Sequence, residues 1–129
     1  MFNLYINERR IEDVTVLDLK GRIRSTGGTR GLHKSIRCLV EEGKTSILLN
    51  LSQVTHIDSS GLDELVASRV TITNKGGEIK LLHLTEQMRE VITTANLSAV
   101  FDSYNDEYDA IASFKREVLD VAKPLAAFV

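Results

Sequence analysis

A chain of 129 residues with 43% apolar and 26% charged side chains has the size and balance of one globular domain, able to bury roughly two thirds of its unfolded surface without metal or disulfide. Sixteen basic side chains against eighteen acidic ones give a formal net charge of -2, which supplies no positive field to draw the chain directly onto nucleic acid or an anionic membrane. A single cysteine, Cys38, excludes an intramolecular disulfide, suits a reducing compartment and is expected to pack as a small buried hydrophobe.

Residues 1–8 carry neither a basic start nor a long apolar stretch, so no secretory signal is expected, and no later run approaches the roughly eighteen apolar residues of a membrane span. The cytoplasm is the expected location. Leu4 and Ile6, then Val14, Val16 and Leu19, alternate on either side of the polar stretch Glu8 to Asp13, which predicts a hairpin of two half-buried strands with the second closed by Gly21. From Gly27 to Glu42 the spacing turns helical. Leu32, Ile36, Leu39 and Val40 recur at three and four residues, Arg30, Lys34 and Arg37 are expected to face water, and Gly43 marks the end. Ser46 to Leu51 is short and apolar, as suits a central strand covered on both faces.

After Thr55-His56-Ile57-Asp58-Ser59-Ser60-Gly61, helical spacing resumes through Leu62, Leu65, Val66, Arg69, Val70 and Ile72 to Lys75-Gly76-Gly77, where paired glycines supply a left-handed exit. Glu78 to Leu84 predicts a strand, and Thr85 to Ala95 a helix with Met88, Val91 and Ile92 inward and Asn96 as its left-handed cap. Phe101 marks a last short strand, and Ala110, Ile111, Phe114 and Val118 a final amphipathic helix. Two strands followed by helices alternating with strands predict a single-domain α/β sandwich, with a mixed central sheet of about five strands and about four helices. The domain is expected over residues 1–119, and the tail over 120–129, which holds the sole proline, Pro124, is expected to dock on it, the alternatives being a mobile end or a contact with a second copy.

The segment Asp58-Ser59-Ser60-Gly61-Leu62 lies where a predicted strand passes into a helix, so its hydroxyls are expected exposed at the helix N-terminus. There, unpaired N–H groups and the positive end of the dipole favour an oxygen acceptor. Read alone, Ser60 and Asp63 fit the S-x-x-D/E capping pattern, worth about 1 kcal/mol to the helix. The surroundings change that reading. From Ile47 to Leu62, an apolar strand, a short turn and D-S-S-G-L follow in the order that resembles the heart of the STAS domain family. Lys75-Gly76-Gly77-Glu78 before an apolar strand, Asn96-Leu97 in place of Gly-Leu, and Val100-Phe101 before an acidic turn and last helix extend the likeness over nearly all of residues 1–119.

In bacterial anti-sigma factor antagonists of that family, the second serine of the motif is phosphorylated by the anti-sigma factor, itself a serine kinase. The resemblance implies that this serine is Ser60, that Asp58 and Ser59 shape the phosphorylation loop, and that Gly61 lets backbones approach closely. Leu62 belongs to the same expected partner-binding set, and Arg24 joins it from the basic stretch beside the motif, where it would recruit a differently charged partner or hold the phosphate. Unphosphorylated protein would bind the anti-sigma factor and free a sigma factor, phosphorylated protein would let go, and a phosphatase would reset the switch. The resemblance implies no cofactor, metal, catalytic residue or direct nucleic-acid or membrane contact, and it leaves homodimerisation open.

Two features depart from the pattern. Gly21-Arg22-Ile23-Arg24 is basic where relatives carry a stretch like Gly-Glu-Leu-Asp, and Asp63 and Glu64 stand where a phosphate on Ser60 would be repelled. The alternative on the same fold is a STAS subunit of a larger signalling assembly or transporter complex, without serine phosphorylation. Enzymatic readings find less support. Gly43-Lys44-Thr45 resembles a P-loop ending, but the earlier glycine is replaced by Cys38 and the tripeptide joins helix to strand rather than strand to helix. His56 and Asp58 lie near serines without a G-x-S-x-G elbow, and His33, His56 and His83 lack metal-ligand spacing.

Overall fold

The chain reverses within two residues between its first strands, β1 (Leu4–Ile11) and β2 (Val14–Ile23), with Glu12 in the left-handed region at φ 56°. The hairpin is tighter than the polar stretch suggested, because Glu8, Arg9 and Arg10 belong to the strand and not to the turn. The computed structural model describes residues 4–23 and 31–114. Beyond the hairpin come α1 (Leu32–Glu41), β3 (Ser46–Ile57), α2 (Ser59–Asn74), β4 (Glu78–Leu82), α3 (Glu86–Thr94) and β5 (Ser103–Tyr104). A fourth helix, α4, starts at residue 107 and continues to residue 114, the last one described.

The five strands form one sheet in the order β1-β2-β3-β4-β5, antiparallel between β1 and β2 and parallel thereafter. The architecture is thus the mixed α/β sandwich that the element order predicted. Alternation along the strands divides the core. Leu17, Leu19, Ile47, Leu49, Ile79 and Leu81 bury against α1, α2 and α3, while Val14, Val16, Leu48 and Leu82 pack with Ala110, Ile111 and Phe114 of α4.

β3 is covered on both faces only near its start, and it runs six residues past Leu51, to Ile57, as a strand with Ser52, Gln53, Thr55 and His56 exposed and Val54 and Ile57 buried. β2 likewise passes through Gly21, where the register with β3 shifts, to end with Ile23 opposite Ile57.

Other differences have local causes. α1 begins at Leu32 instead of Gly27, with Gly31 as its N-cap. Cys38 is exposed, not buried: Ile36, Leu39 and Val40 take the inward positions, and residue 38 lies about 200° around the helix from Ile36. Phe101 is a buried core residue two positions ahead of β5 rather than part of a strand. β4 stops at Leu82 because His83 turns left-handed at φ 57°. Gly76 (φ 77°) and Asn96 (φ 61°) do supply the left-handed residues after α2 and α3. Arg30, Val118 and the tail over 120–129 lie outside the described residues.

On the α4 face a polar row crosses the sheet. Asn7, Asp18 and Asn50 are cross-strand neighbours, and Asn50 Nδ2 donates to Asp18 Oδ1 at 2.8 Å. Arg9 grips Asp18 through Nε (2.6 Å) and Nη2 (2.9 Å), and Nη2 also reaches Glu107 Oε1 at 2.7 Å, which ties the first turn of α4 to the sheet. The Arg9 hydrogen bonds hold the Asp18 carboxyl below its usual range against the opposing effect of burial, helped by Asn50 and Asn7. Nearby, Lys80 is fully buried. Its Nζ donates to Ser113 Oγ at 3.0 Å and stands 4.9 Å from the centre of the Phe114 ring and 5.7 Å from that of Tyr104.

Two predictions follow from these contacts. Asp18 has a folded pKa below its unfolded one, so its stabilisation is complete above the unfolded carboxylate range and is lost as pH falls through the folded value. Urea denaturation should find Asp18→Asn less stable than the parent at about pH 7, with the gap narrowing as pH falls below about 4; a gap that stays constant would contradict this linkage. Lys80→Ala should lose about 2 to 5 kcal/mol through the cavity it leaves, and Lys80→Met, which keeps most of the stem, distinctly less.

Candidate functional site

Ile57 anchors the end of β3 in the core, and the next residue, Asp58, keeps extended backbone at φ -110° and ψ -175°. That conformation is what an N-cap requires, and Asp58 fills the position. Its Oδ1 accepts from the Gly61 N–H at 2.8 Å and from Ser60 Oγ at 2.7 Å, while its carbonyl accepts from the Leu62 N–H at 2.9 Å. The capping pair read from Ser60 and Asp63 is therefore corrected. Ser60 already lies inside the first helical turn, and a capping side chain must come from the extended residue before it.

The motif presents a graded surface. Ser59 and Asp63 are exposed, Asp58 and Ser60 are half-buried, Gly61 is buried, and Leu62 is half-buried against the core. The Ser60 hydroxyl is thus less open than expected, held inward by its bond to Asp58. Of the residues singled out in the sequence, Asp58, Ser59, Ser60, Gly61 and Leu62 come together here, and Arg24 lies outside the described residues.

A contact without any local sequence signal joins this site to α1. Gly31, the N-cap of α1, brings no side-chain cap, and the His33 N–H instead donates to Glu64 Oε1 of α2 at 3.1 Å. The approach is close enough that a Cβ at residue 31 would run into that same oxygen. About two turns further along α2, His33 Nε2 lies 2.9 Å from Thr71 Oγ1. The separation of 31 positions between His33 and Glu64 hides this cap from any pattern read along the chain.

The other chemical readings disperse. Lys44 Nζ bonds Glu8 at 3.0 Å and Glu42 at 3.1 Å, and these hydrogen bonds, Glu8 first, raise its pKa; the Thr45 carbonyl accepts from the Glu78 N–H. His56 is exposed beside β2, while the Asp58 carboxylate is engaged by Ser60 and Gly61. Among the described residues no three His, Cys, Asp or Glu side chains converge as metal ligands, and no helix is long and apolar enough to cross a membrane.

Residues 5–110 match the STAS domain. BtrV of Bordetella bronchiseptica, a candidate anti-sigma factor antagonist, is 24% identical over 106 residues, which cover 82% of this chain and 90% of that protein. Solved structures share the fold, three of them as follows. An anti-sigma factor antagonist from Mycobacterium paratuberculosis superposes with a TM-score of 0.74 at 20% identity, over 88% of this chain and 95% of that one. The Bacillus cell fate determinant SpoIIAA in its phosphorylated form gives 0.65 at 20% identity, over 84% and 98%. A sulfate transporter family protein from Wolinella succinogenes gives 0.67 at 13% identity, over 84% and 89%.

The cap assignment orders two variants. Asp58→Ala should lower stability by about 1 kcal/mol, and Ser60→Ala, which keeps the bond from Gly61 to Asp58, by less. Urea midpoints in the opposite order would move the cap to Ser60.

Proposed function

The chain belongs to the STAS domain family, and from that premise we propose that it is an anti-sigma factor antagonist switched by phosphorylation of Ser60. The observation that carries the reading is the Ser60 hydroxyl, placed in the first turn of α2 at the sheet's edge with its proton directed to Asp58. The names of BtrV and of the Mycobacterium structure support the assignment to antagonists, and the phosphorylated form of SpoIIAA supports modification as the switch. In the unmodified state, Asp58, Ser59, Ser60, Gly61 and Leu62 form the surface on which an anti-sigma factor docks, and a sigma factor goes free.

The anti-sigma factor acts as the kinase. Ser60 Oγ attacks the terminal phosphorus of a nucleoside triphosphate, the hydroxyl proton departs to a base, and the nucleoside diphosphate leaves. A phosphatase returns the hydroxyl by hydrolysis. The helix N-terminus tolerates the new anion, gaining about 0.3 to 1 kcal/mol from it in favourable cases, so the fold survives modification. Release is an interface effect. Taking a complex from about 99% to about 1% occupied requires roughly 5.5 kcal/mol. Two unit charges about 4 Å apart at an effective dielectric of about 20 interact by roughly 4 kcal/mol, so a phosphate of nearly two charges pressed against a fitted partner is of the right order.

The likeness to the sulfate transporter family protein favours a second reading, in which the same fold serves a larger assembly and Ser60 stays unmodified. One assay separates the two. Incubation of the parent and Ser60→Ala with a candidate anti-sigma kinase and ATP, followed by mass spectrometry, should give one phosphate on the parent and none on the variant. Phosphate elsewhere, with Ser60 untouched, would overturn the site. Ser60→Asp should weaken binding to the anti-sigma factor while the thermal midpoint stays nearly unchanged.

A further inference from the structure

We propose that Glu64 is a positioning residue that carries the state of Ser60 to the start of α1, an inference that rests on phosphorylation of Ser60 being the switch. Ser60 and Glu64 stand four apart on α2 and are therefore neighbours on one face of the helix. Helical side chains lean toward the N-terminus, so the stem of Glu64 is directed toward the turn that contains Ser60. From there it crosses to α1, where it accepts the His33 N–H and closes over Gly31. It gives α1, from a neighbouring helix, the oxygen acceptor that Gly31 lacks, together with a negative charge at the positive end of the dipole.

A phosphate on Ser60 sets about -1.5 to -2 charges one turn from that carboxylate. Like charges at this spacing repel. The carboxylate relieves the repulsion by swinging toward water, and the His33 N–H loses its acceptor. The ring of His33 remains tied to Thr71, nearly three turns beyond Ser60 on α2, so the loosening is confined to the first turn of α1. Modification then alters the docking surface twice, by its own charge and by the order of the adjoining helix start. A glutamate at position 64 is what couples the two.

The test installs phosphoserine at position 60 during translation, without any kinase, and follows amide hydrogen exchange at His33 by NMR. In the otherwise unaltered chain, phosphoserine should speed His33 exchange about two- to fivefold. In Glu64→Gln, which keeps an acceptor oxygen without the charge, the increase should fall below half of that. Glu64→Ala, unphosphorylated, should already exchange faster at His33, while the amide of core residue Leu65 stays slow. The proposal is overturned by unchanged His33 exchange on phosphorylation, by an equal increase in Glu64→Gln, or by His33 protection that survives Glu64→Ala. Because no kinase is involved, the two failures are distinguishable: phosphate elsewhere in the kinase assay counts against the switch, whereas unchanged His33 exchange counts against the coupling through Glu64.

Discussion

Ile23 and Ile57, paired at the far end of the β2 and β3 ladder and both buried, determine where two connections leave the sheet. β2 and β3 are parallel, so the chain departs from both on the same edge. That edge is where open α/β sheets place their sites. The start of α1 and the start of α2 consequently lie side by side, which is why a residue of the second helix can cap the first. Were β2 to end at Gly21 or β3 at Leu51, Asp58 would not emerge in the extended conformation its capping bond needs, and Ser60 would have no fixed place.

The ionic ties and the proposed switch occupy opposite faces of the sheet. The row of Asn7, Asp18 and Asn50, the Arg9 grip on Glu107 and the buried Lys80 all lie on the α4 side. Ser60, Glu64 and His33 lie on the side of α1, α2 and α3. The mostly apolar sheet would separate a phosphate placed on Ser60, as proposed, from the ionic ties that hold the last helix. A modification at the edge can thus change what docks there without loosening the ladder beneath it.

Much of this was legible in the residues. Alternation in β1 and β2, helical spacing in α1 to α3 and the D-S-S-G-L segment led to the right order of elements and the right fold. The strand ends were less legible, because Ser52, Gln53 and Thr55 look like a turn when they are the wet face of a half-covered strand, and Gly21 looks like a stop where it sits at a register shift. The cap was misplaced by two residues. A side-chain pattern such as S-x-x-D is matched by residue type alone, whereas capping depends on which residue keeps extended backbone, and the exit of β3 decides that. Cys38 followed a general tendency of free cysteine and was overruled by its angular position on α1. The bond from His33 to Glu64 exists only after two parallel strands have brought their helices together, and no local rule anticipates it.

The sheet's two borders carry a further consequence. On one side, β1 has a run of three ionic side chains, Glu8, Arg9 and Arg10, with Glu8 bridged to Lys44; on the other, β5 is only two residues long. Neither offers the long, flat, oily rim on which strands of separate molecules zip together into fibrils. Among the described residues, self-assembly by strand addition is thereby discouraged at both ends of the sheet.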